Sequence, residues 1–598
     1  MVAYPLSQSE PSILKTHALE NPSSNKLPQV MHDQPGMANS EIDVPLANPR
    51  GSHSAPSFVL NHFEALRRTI LWFALAVASV VGTNRASADS HWNTIVPYTC
   101  GSRLTKTEPT EYGVLYTRLI RLEHSGAANG RLIAIYEHFP NPFVIFRSTD
   151  EGISWQIIGQ TPRGHMPAPW TFEGEPHLYE LPSPTGNLPV GTILIAGSTV
   201  RTHPDGTHLS QRLEVYASTD HGITWTYRGV ADEADGLHGG IWEPNIFLAK
   251  NGNLVMVYSD ERQMPKFSQV LAMRESKDAG ISWGPEKNVV AVPDGKQRPG
   301  MAVTQKLPSG KYVMSYEWIN GEDNPAYIRF SEDGLNWGDP VQRGIPAKTA
   351  NGSCLGGTPY CLWIPVGGPK GALIVNAREL THSPNADREI FVNFNMGEGP
   401  WVAMASPVQW QGNQEFDGWS MGMIPSADGK GIILMAPSYA GKDCNEVLIG
   451  RCPILVPGLN YRIVNSSSGL SLAIPNDSKV HGTLLNQAAS SNIAGQIWSL
   501  KDLGDEWFAL TNPSSGLTVD DYQLKIRNGS PLAVWDSNLL PFQQWKPIPT
   551  AMGDFKLLNR HANRLLSVLG GSNEQNASIV LWDDDGTSNS KWKIVPME

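Results

Sequence analysis

The sequence predicts an all-β chain in which two different repeat arrays follow one another. Gly (56 residues) and Pro (46 residues) supply many turns, and Trp is abundant at 19 residues. No sustained 3.6-residue hydrophobic period occurs after residue 90, so long amphipathic helices are not expected there. Motifs that recur at two different fixed spacings divide this part of the chain into two all-β modules.

The first repeat has the pattern Ser-x-Asp-x-Gly-x-Ser/Thr-Trp. Its Asp residues are 70, 58 and 55 residues apart in three complete copies and a shorter fourth: Ser148–Trp155, Ser218–Trp225, Ser276–Trp283 and Ser331–Trp337. A period of roughly 60 residues predicts one four-stranded propeller blade per repeat. The Asp carboxylate is expected to accept hydrogen bonds from the amides of its own turn, while Gly permits a positive φ. These Asp residues are therefore expected to be structural.

Residues 89–456 are long enough for six such blades, and the resemblance described below implies six. The last two blades lack the Asp motif and are inferred from strand-like runs such as Ala372–Asn376 and Gly431–Ala436. The second repeat begins beyond this region, where Trp498, Trp545 and Trp592 lie 47 residues apart. Three units of this length indicate a second repeat array over residues 457–598, and the resemblance described below implies a β-trefoil with the three Trp side chains in its core.

The first 88 residues have a different composition. Residues 1–60 are rich in Ser, Pro and Asn, which predicts a disordered extension. Segment 61–88 combines Arg67-Arg68, an apolar run over Ile70–Val81 and Ala86-Ser87-Ala88, which is typical of a secretory signal. Because a signal begins near the first residue, initiation near Met37 is expected. We expect a secreted, extracellular protein without stable membrane association after cleavage; the alternative is an uncleaved signal anchor.

Secretion would permit disulfides. Cys354 and Cys361 are expected to form one pair and Cys444 and Cys452 another, which leaves Cys100 over. Five N-x-Ser sequons are consistent with a secretory route: Asn351, Asn465, Asn476, Asn528 and Asn576. The cysteine spacing does not resemble a zinc site, and neither a metal nor an organic cofactor is predicted. A net charge of −11 disfavours nucleic acid as a partner.

Two glutamates carry the predicted chemistry. Glu175 and Glu243 each precede a Pro and an apolar strand at the start of neighbouring blades. Equal placement should direct both carboxylates toward the propeller axis, where one can protonate a glycosidic oxygen while the other attacks the anomeric carbon or activates water. The alternative is that both glutamates satisfy exposed blade turns.

The Asp motifs and the opening Tyr116-Thr117-Arg118-Leu119-Ile120-Arg121 segment resemble the sialidase superfamily. The paired glutamates are similar to those of glycoside hydrolase family 93, the exo-arabinanases, with six blades and two catalytic Glu residues on neighbouring blades. This resemblance implies that Glu175 is the acid/base, that Glu243 is the nucleophile, and that the configuration is retained. The expected function is hydrolysis of a plant arabinan-type polysaccharide from a chain end.

Seven further residues are candidates for substrate binding: Arg118, Trp170, Trp242, Arg298, Tyr316, Arg378 and Tyr439. The alternative of an exo-sialidase would use Arg118, Arg262 or Arg298, and Arg378 as an arginine triad, with Glu243 and Tyr439 as the Glu–Tyr pair. It would also need an Asp between the second strand of blade 1 and the first Asp motif, and this stretch contains none. A third alternative is a non-catalytic propeller–lectin that only binds glycans.

The C-terminal repeats resemble a ricin B-type lectin, similar to carbohydrate-binding module family 13. Sugar binding in that family implies an Asp for hydroxyl groups and an aromatic ring for the sugar face. The middle repeat retains both as Asp520 and Trp535. The third has Trp582 with Ser567 in place of the Asp, and the first has Ala473 and Ala488. One competent pocket is expected, with a weaker second one at Trp582; the alternative is a trefoil that serves only as a spacer.

Overall fold

A computed structural model describes residues 93–95, 114–137, 142–162, 170–202, 208–236, 238–320, 324–381, 388–408, 418–439, 445–550 and 552–597. These residues belong to one compact unit, Arg85–Glu598. The predicted extension (1–60), the signal-like segment (61–88), Cys100 and Cys444 lie outside the described residues.

The N-terminal module is a six-bladed propeller. Its strands are β1 (Asn93–Ile95), β2 (Leu115–Arg121), β3 (Leu132–Glu137), β4 (Val144–Ser148), β5 (Gln156–Gln160), β6 (Trp170–Glu180), β7 (Ile193–Thr202), β8 (His208–Ser218), β9 (Thr226–Ala234), β10 (Ile241–Leu248), β11 (Leu254–Asp260), β12 (Val270–Ser276), β13 (Lys287–Val290), β14 (Arg298–Lys306), β15 (Tyr312–Ile319), β16 (Tyr327–Ser331), β17 (Ile345–Pro346), β18 (Cys354–Gly356), β19 (Tyr360–Ile364), β20 (Ala372–Asn376), β21 (Glu379–Thr381), β22 (Glu389–Asn393), β23 (Val402–Ala405), β24 (Gly422–Pro425), β25 (Gly431–Tyr439) and β26 (Asn445–Pro453).

Among the described residues, each blade is a four-stranded antiparallel sheet. Blades 1 to 4 are β2–β5, β6–β9, β10–β13 and β14–β17; blade 5 is β19, β20, β22 and β23. Blade 6 consists of β24–β26 and is completed by β1, which pairs antiparallel with β26. Strands β18 and β21 form a separate two-stranded ribbon. The N-terminal strand therefore supplies the outer strand of the last blade and links the two ends of the propeller.

The four Asp motifs occupy the turns between the third and fourth strands of blades 1 to 4. In blade 2, the Asp220 carboxylate accepts hydrogen bonds from the Thr224 amide at 2.9 Å and the Thr224 hydroxyl at 2.6 Å. The Trp225 indole donates to the carbonyl of Gly222, whose φ is 92°. Burial raises the pKa of Asp150 and Asp278, but hydrogen bonds within their turns outweigh it and lower each pKa to about 2. The predicted structural role of the motif agrees with these contacts.

Blade 5 lacks the Asp motif, as predicted, but its turn has a similar conformation. The Asn393 carboxamide oxygen accepts hydrogen bonds from the amides of Asn395 and Gly397, each at 2.8 Å. Gly397 has a φ of 83°, and the buried Trp401 takes the place of the motif Trp. Asn393 accepts the hydrogen bonds that the motif Ser accepts in blades 1 to 4. The turn therefore does not match the Ser-x-Asp sequence pattern.

The C-terminal module is a trefoil of short strands. They are β27 (Asn460–Asn465), β28 (Ser471–Ala473), β29 (Thr483–Leu484), β30 (Asn486–Ala488), β31 (Trp498–Asp502), β32 (Phe508–Thr511), β33 (Leu517–Asp520), β34 (Ala533–Asp536), β35 (Trp545–Pro549), β36 (Phe555–Asn559), β37 (Arg564–Val568), β38 (Ile579–Trp582) and β39 (Lys591–Pro596). Trp498, Trp545 and Trp592 are fully buried, as predicted. Each indole donates to a main-chain carbonyl 26 residues earlier, that of Leu472, Val519 or Leu566.

The predicted disulfide between Cys354 and Cys361 is wrong. Cys354 lies in the β18–β21 ribbon, and its thiol donates to the Gly352 carbonyl. Cys361 lies on the inner strand of blade 5, and its thiol donates to the carbonyl of Val303 in blade 4. Cys452 is a buried thiol, and its expected partner Cys444 lies outside the described residues. The two cysteines are close in sequence but belong to different sheets, so their short separation does not bring the thiols together.

One sequon is also structural. Asn465 is buried in the trefoil, and its side-chain amide donates to the carbonyl of Asn589 at 2.9 Å. This asparagine is therefore not placed to accept a glycan. The other four sequon asparagines, Asn351, Asn476, Asn528 and Asn576, are exposed.

Candidate active site

The inner strand of every blade is preceded or interrupted by one residue in the left-handed region. The φ values lie between 45° and 63° for Tyr116, Glu175, Glu243, Met301, Thr358 and Ser420. In blades 1 to 4 the register of the inner strand shifts at this residue. Non-glycine residues with positive φ are uncommon, so their recurrence at one position per blade indicates a shared structural feature, the axial bulge.

Hydrogen bonds between blades connect these axial bulges into a ring. The amide of each bulge residue donates to an acceptor in the preceding blade: Glu175 to Glu137 Oε2 (2.8 Å), Glu243 to Glu175 Oε2 (2.8 Å), Met301 to Glu243 Oε2 (2.9 Å), Thr358 to Glu317 Oε2 (2.7 Å), Ser420 to Thr358 Oγ1 (3.1 Å) and Tyr116 to the Trp419 carbonyl (3.2 Å). The bulges therefore surround a common axis. Glu175 and Glu243 are successive members of the ring.

Glu175 is buried at the start of blade 2, at 7% exposure. Its Oε2 accepts hydrogen bonds from the Ser198 hydroxyl at 3.0 Å and from the Glu243 amide. The carboxylate of Glu137, on β3 of blade 1, fills the space beside Gly174, where a Cβ would lie 2.0 Å from it. A glycine is therefore required immediately before Glu175 to admit this third carboxylate.

Glu243 is partly exposed and accepts three hydrogen bonds. Its Oε2 accepts from the Ser259 hydroxyl at 2.6 Å and the Met301 amide, while Oε1 accepts from the Tyr116 hydroxyl at 3.3 Å. The pKa of the Glu243 carboxyl is raised, mainly by burial, with a smaller contribution from the Glu261 charge; these three hydrogen bonds oppose the rise but do not cancel it. Hydrogen bonds that stabilise the ionised form suit a carboxylate that acts as a nucleophile.

One pocket is lined by both glutamates, together with Arg118, His177, Asn245 and Ser420. Arg118 is buried, and its guanidinium donates to the carbonyl and hydroxyl oxygens of Ser420, each at 2.8 Å. The His177 ring accepts a hydrogen bond from the Ile246 amide at 3.2 Å. Burial, followed by the charge of Arg118, lowers the pKa of His177 to about 3. His177 is therefore neutral near pH 7 and supports the adjacent strand β10.

The structure distributes the other predicted substrate-binding residues differently. Trp170 is buried against the Arg212 guanidinium, 4.1 Å from its ring centre, and Trp242 is a partly exposed neighbour of Glu243. Arg298 donates to Glu261 and Gln269, and Arg378 lies 4.8 Å above the Trp419 ring. The Tyr439 side chain lies outside the described residues.

Tyr316 does not form a sugar platform, and this prediction is wrong. Its side chain is fully buried in the apolar cluster of blades 3 and 4, and its hydroxyl donates to the Arg343 carbonyl. Alternation along β15 places this ring between blades rather than in the pocket.

Ser420, which lines the pocket, and Tyr116, whose hydroxyl donates to Glu243, are site residues that the sequence interpretation did not identify as such. Tyr116 lies two residues before Arg118, just as Glu175 lies two residues before His177 and Glu243 two before Asn245. An alignment of the inner strands of blades 1 to 3 would therefore have placed Tyr116 at the position of the two glutamates. Glu317 and Glu137, by contrast, lie on second strands, and only the fold brings them to the axis.

In the trefoil, Asp520 and Trp535 belong to adjacent strands of the middle repeat. The Asp520 carboxylate accepts a hydrogen bond from the Gln543 amide at 2.9 Å, and burial raises its pKa. Trp535 is partly exposed and is stacked on His481 with ring centres 4.8 Å apart. In the third repeat Trp582 is also partly exposed, but the Ser567 hydroxyl is turned to the Leu565 carbonyl.

Among the described residues, no group of three or more His, Cys, Asp or Glu side chains is arranged to hold a metal ion. The same residues contain no helix that is long and apolar enough to span a membrane.

Comparison with known proteins characterises each module. Residues 455–535 and 541–598 match the family described as ricin-type beta-trefoil lectin domain-like, so the C-terminal region is a ricin B-type lectin domain. The six-bladed propeller resembles glycoside hydrolase family 93 arabinanases. No curated protein matches the chain.

Three solved structures illustrate these similarities. The Penicillium chrysogenum α-L-arabinanase complexed with arabinobiose is 27% identical, with a TM-score of 0.48, and the match covers 60% of this chain and 98% of that one. The GH93 α-L-arabinofuranosidase of Fusarium graminearum with arabinobiose is 25% identical, with a TM-score of 0.49 and the same two coverages. The designed three-fold symmetric protein ThreeFoil is 28% identical over 23% of this chain and 99% of its own, with a TM-score of 0.23.

Proposed function

We propose that this protein is a secreted, retaining exo-glycosidase that acts on arabinan-type polysaccharide and is held on its polymer by the trefoil. One observation carries the proposal: Glu175 and Glu243, from successive blades, line the same pocket, and a 2.8 Å hydrogen bond connects the amide of one to the carboxylate of the other. Two carboxyl groups beside one cavity are the minimum that glycoside hydrolysis requires.

The resemblance to family 93 assigns different roles to the two carboxyl groups. Glu243 is the nucleophile, and its three hydrogen-bond donors favour the ionised form that attacks the anomeric carbon, against the effect of burial. Glu175, whose amide donates to the carboxylate of Glu137, is the acid/base. Glu175 would then donate a proton to the leaving oxygen, and return as a base for the attacking water.

The substrate class is inferred from the resemblance of the paired Glu-Pro strand starts to those of family 93. The sialidase alternative is less well supported, because its proposed arginines have other partners. Arg262 donates to Asp232, Asp260 and Glu286, and Arg298 to Glu261 and Gln269. An arginine triad that binds a sialate carboxylate needs its guanidinium groups directed into the pocket.

The direct test is sugar release from linear arabinan, compared with cleavage of a fluorogenic sialoside. We expect arabinan cleavage that is reduced at least about 1,000-fold in Glu243→Gln and in Glu175→Gln, because each variant removes one of two essential groups. Glu275→Gln is the matched control, since Glu275 is bonded to Asn251, Asn253 and Lys287 on the outer part of blade 3. Sialoside cleavage would support the sialidase alternative. Polymer binding without any cleavage would instead indicate a propeller–lectin.

Retention of configuration is a separate part of the proposal. Proton NMR of the first product formed from an aryl arabinofuranoside should show the same anomeric configuration as the substrate. The opposite anomer would mean that Glu243 activates water rather than attacking the sugar.

A further inference from the structure

Tyr116 enters the candidate site from across the propeller axis. It belongs to blade 1 and Glu243 to blade 3, yet the Tyr116 hydroxyl donates to Glu243 Oε1 at 3.3 Å. Tyr116 is 6% exposed, and its ring lies 5.8 Å from the Arg118 guanidinium. The phenol therefore crosses the central axis and connects two blades that are not neighbours.

The backbone of Tyr116 has the left-handed conformation that recurs at the axial bulge of every blade. Its φ is 45°, in a region that non-glycine residues seldom adopt. The Tyr116 amide donates to the Trp419 carbonyl, and the side chain packs with Met301 and Trp419. Strained residues that surrounding contacts hold in place are concentrated at functional sites.

The two oxygens of Glu243 have different surroundings. Oε2 accepts two hydrogen bonds, from Ser259 and from Met301, whereas Tyr116 is the donor that the described residues supply to Oε1. An oxygen with one long hydrogen bond retains a lone pair that can attack a carbon atom. Oε1 is therefore the oxygen suited to form the bond to the anomeric carbon. The hydrogen bond from Tyr116 restrains the orientation of this oxygen.

We infer that Tyr116 is a positioning residue that orients Glu243 Oε1 and favours the ionised form of Glu243. This inference rests on the proposed function, because it assigns a role within the same reaction. Burial, and then the charges of Glu243, Glu175 and Glu137, keep the pKa of Tyr116 well above 10, so its hydroxyl remains a donor over the working pH range.

Removal of this donor should raise the pKa of Glu243, since the carboxylate would lose one of the three hydrogen bonds that oppose the effect of burial. The other titratable groups around Glu243 are unchanged by the substitution: Arg118 on β2, Glu137 on β3, Glu175 and His177 on β6, and Glu261 after β11. A shift of the acidic limb of the pH profile would therefore report on the Tyr116 hydroxyl.

The test is Tyr116→Phe, which removes one oxygen and retains the ring. We expect kcat to fall about 10- to 100-fold, as for loss of a hydrogen bond to a charged group, with KM within about twofold. The acidic limb of kcat/KM should move to higher pH. Tyr312→Phe is the matched control, because its buried hydroxyl donates to the Leu248 carbonyl within blades 3 and 4, outside the pocket.

A second measurement does not depend on turnover. An electrophilic arabinofuranosyl aziridine should label Glu243 in the wild-type protein, and the labelling rate should fall at acidic pH more in Tyr116→Phe than in the control. A wild-type pH profile in both assays would overturn the role of Tyr116 and leave the hydrolase proposal intact. A wild-type protein that neither cleaves arabinan nor is labelled would overturn the hydrolase proposal itself.

Discussion

At the scale of single residues, identical backbone placement gives Glu175 and Glu243 different chemistry. Both occupy axial bulges, with φ values of 56° and 63°. Glu175 accepts hydrogen bonds from Ser198 and from the Glu243 amide, and the Glu137 carboxylate lies beside the preceding Gly174. Glu243 accepts hydrogen bonds from Ser259, Met301 and Tyr116. The residues proposed as acid/base and nucleophile therefore differ in the neighbours that other strands supply.

This difference predicts distinct responses to the leaving group. Glu175→Gln should hydrolyse a dinitrophenyl arabinofuranoside far better than a natural linkage, because an activated leaving group needs no proton. Added azide should restore activity to the Glu175→Ala variant by attacking the glycosyl intermediate. Glu243→Gln should show neither effect. Steady-state rates on aryl substrates of graded acidity measure this, and an exchange of the two patterns would reverse the assigned roles.

At the scale of structural elements, a short sequence repeat predicts structure well where its residues contact one another within the same repeat. Asp220 bonds only within its own turn, and each trefoil Trp bonds a carbonyl at the same 26-residue offset. The positions predicted to bind sugar vary more among the three repeats than the core positions do. Of the three, the middle repeat combines an Asp with a partly exposed aromatic ring. The three repeats therefore share a core but differ in their predicted binding capacity.

Trp535→Ala should accordingly reduce binding to polymer more than Trp582→Ala does. Trp535 lies in the repeat that retains Asp520, whereas Trp582 lies in the repeat that has Ser567 in place of the Asp. We expect an at least tenfold weaker affinity for arabinan in affinity electrophoresis, and unchanged turnover of a small aryl substrate, because the pocket of the propeller is untouched. If arabinan in the gel slows the Trp535→Ala variant as much as the wild-type protein, the proposed role of Trp535 in binding is wrong.

At the scale of the whole molecule, the propeller and the trefoil share one apolar core. A continuous buried cluster includes Ile390 and Met404 of blade 5 together with Phe508 and Phe555 of the trefoil. Beside it, the buried carboxyl group of Glu389 in blade 5 lies close to that of Glu506 in the trefoil, and Glu506 accepts a hydrogen bond from Lys546. Burial, followed by the charge of Glu506, raises the pKa of Glu389 to about 9. The lectin is thus packed against the propeller and not suspended from a flexible linker.

This carboxyl pair predicts a pH-dependent stability. The unfolded chain ionises Glu389 near pH 4.5, while the folded protein retains the proton to about pH 9. Folding stability contributed by Glu389 is therefore complete below pH 4.5 and declines as the pH rises through this window. Glu389→Gln, which imitates the protonated acid, should raise Tm at pH 7–9 and leave it nearly unchanged at pH 4.

Scanning calorimetry at the two pH values measures this effect. Glu332→Gln is the control, because its side chain is 74% exposed. A Tm for Glu389→Gln that is unchanged or lower at pH 8 would show that the ionised carboxylate is accommodated at the interface.

The sequence by itself determined the repeats, the two-module organisation and the pair of axial glutamates. These depend on turns, strand starts and core aromatic residues whose partners lie within one repeat, so their spacing is visible in the chain. Tertiary structure decided the rest: the Tyr116–Glu243 contact joins residues 127 positions apart, and the Cys354 and Cys361 thiols belong to different sheets. Such contacts depend on how strands from separate blades meet at the axis, which a local pattern does not encode.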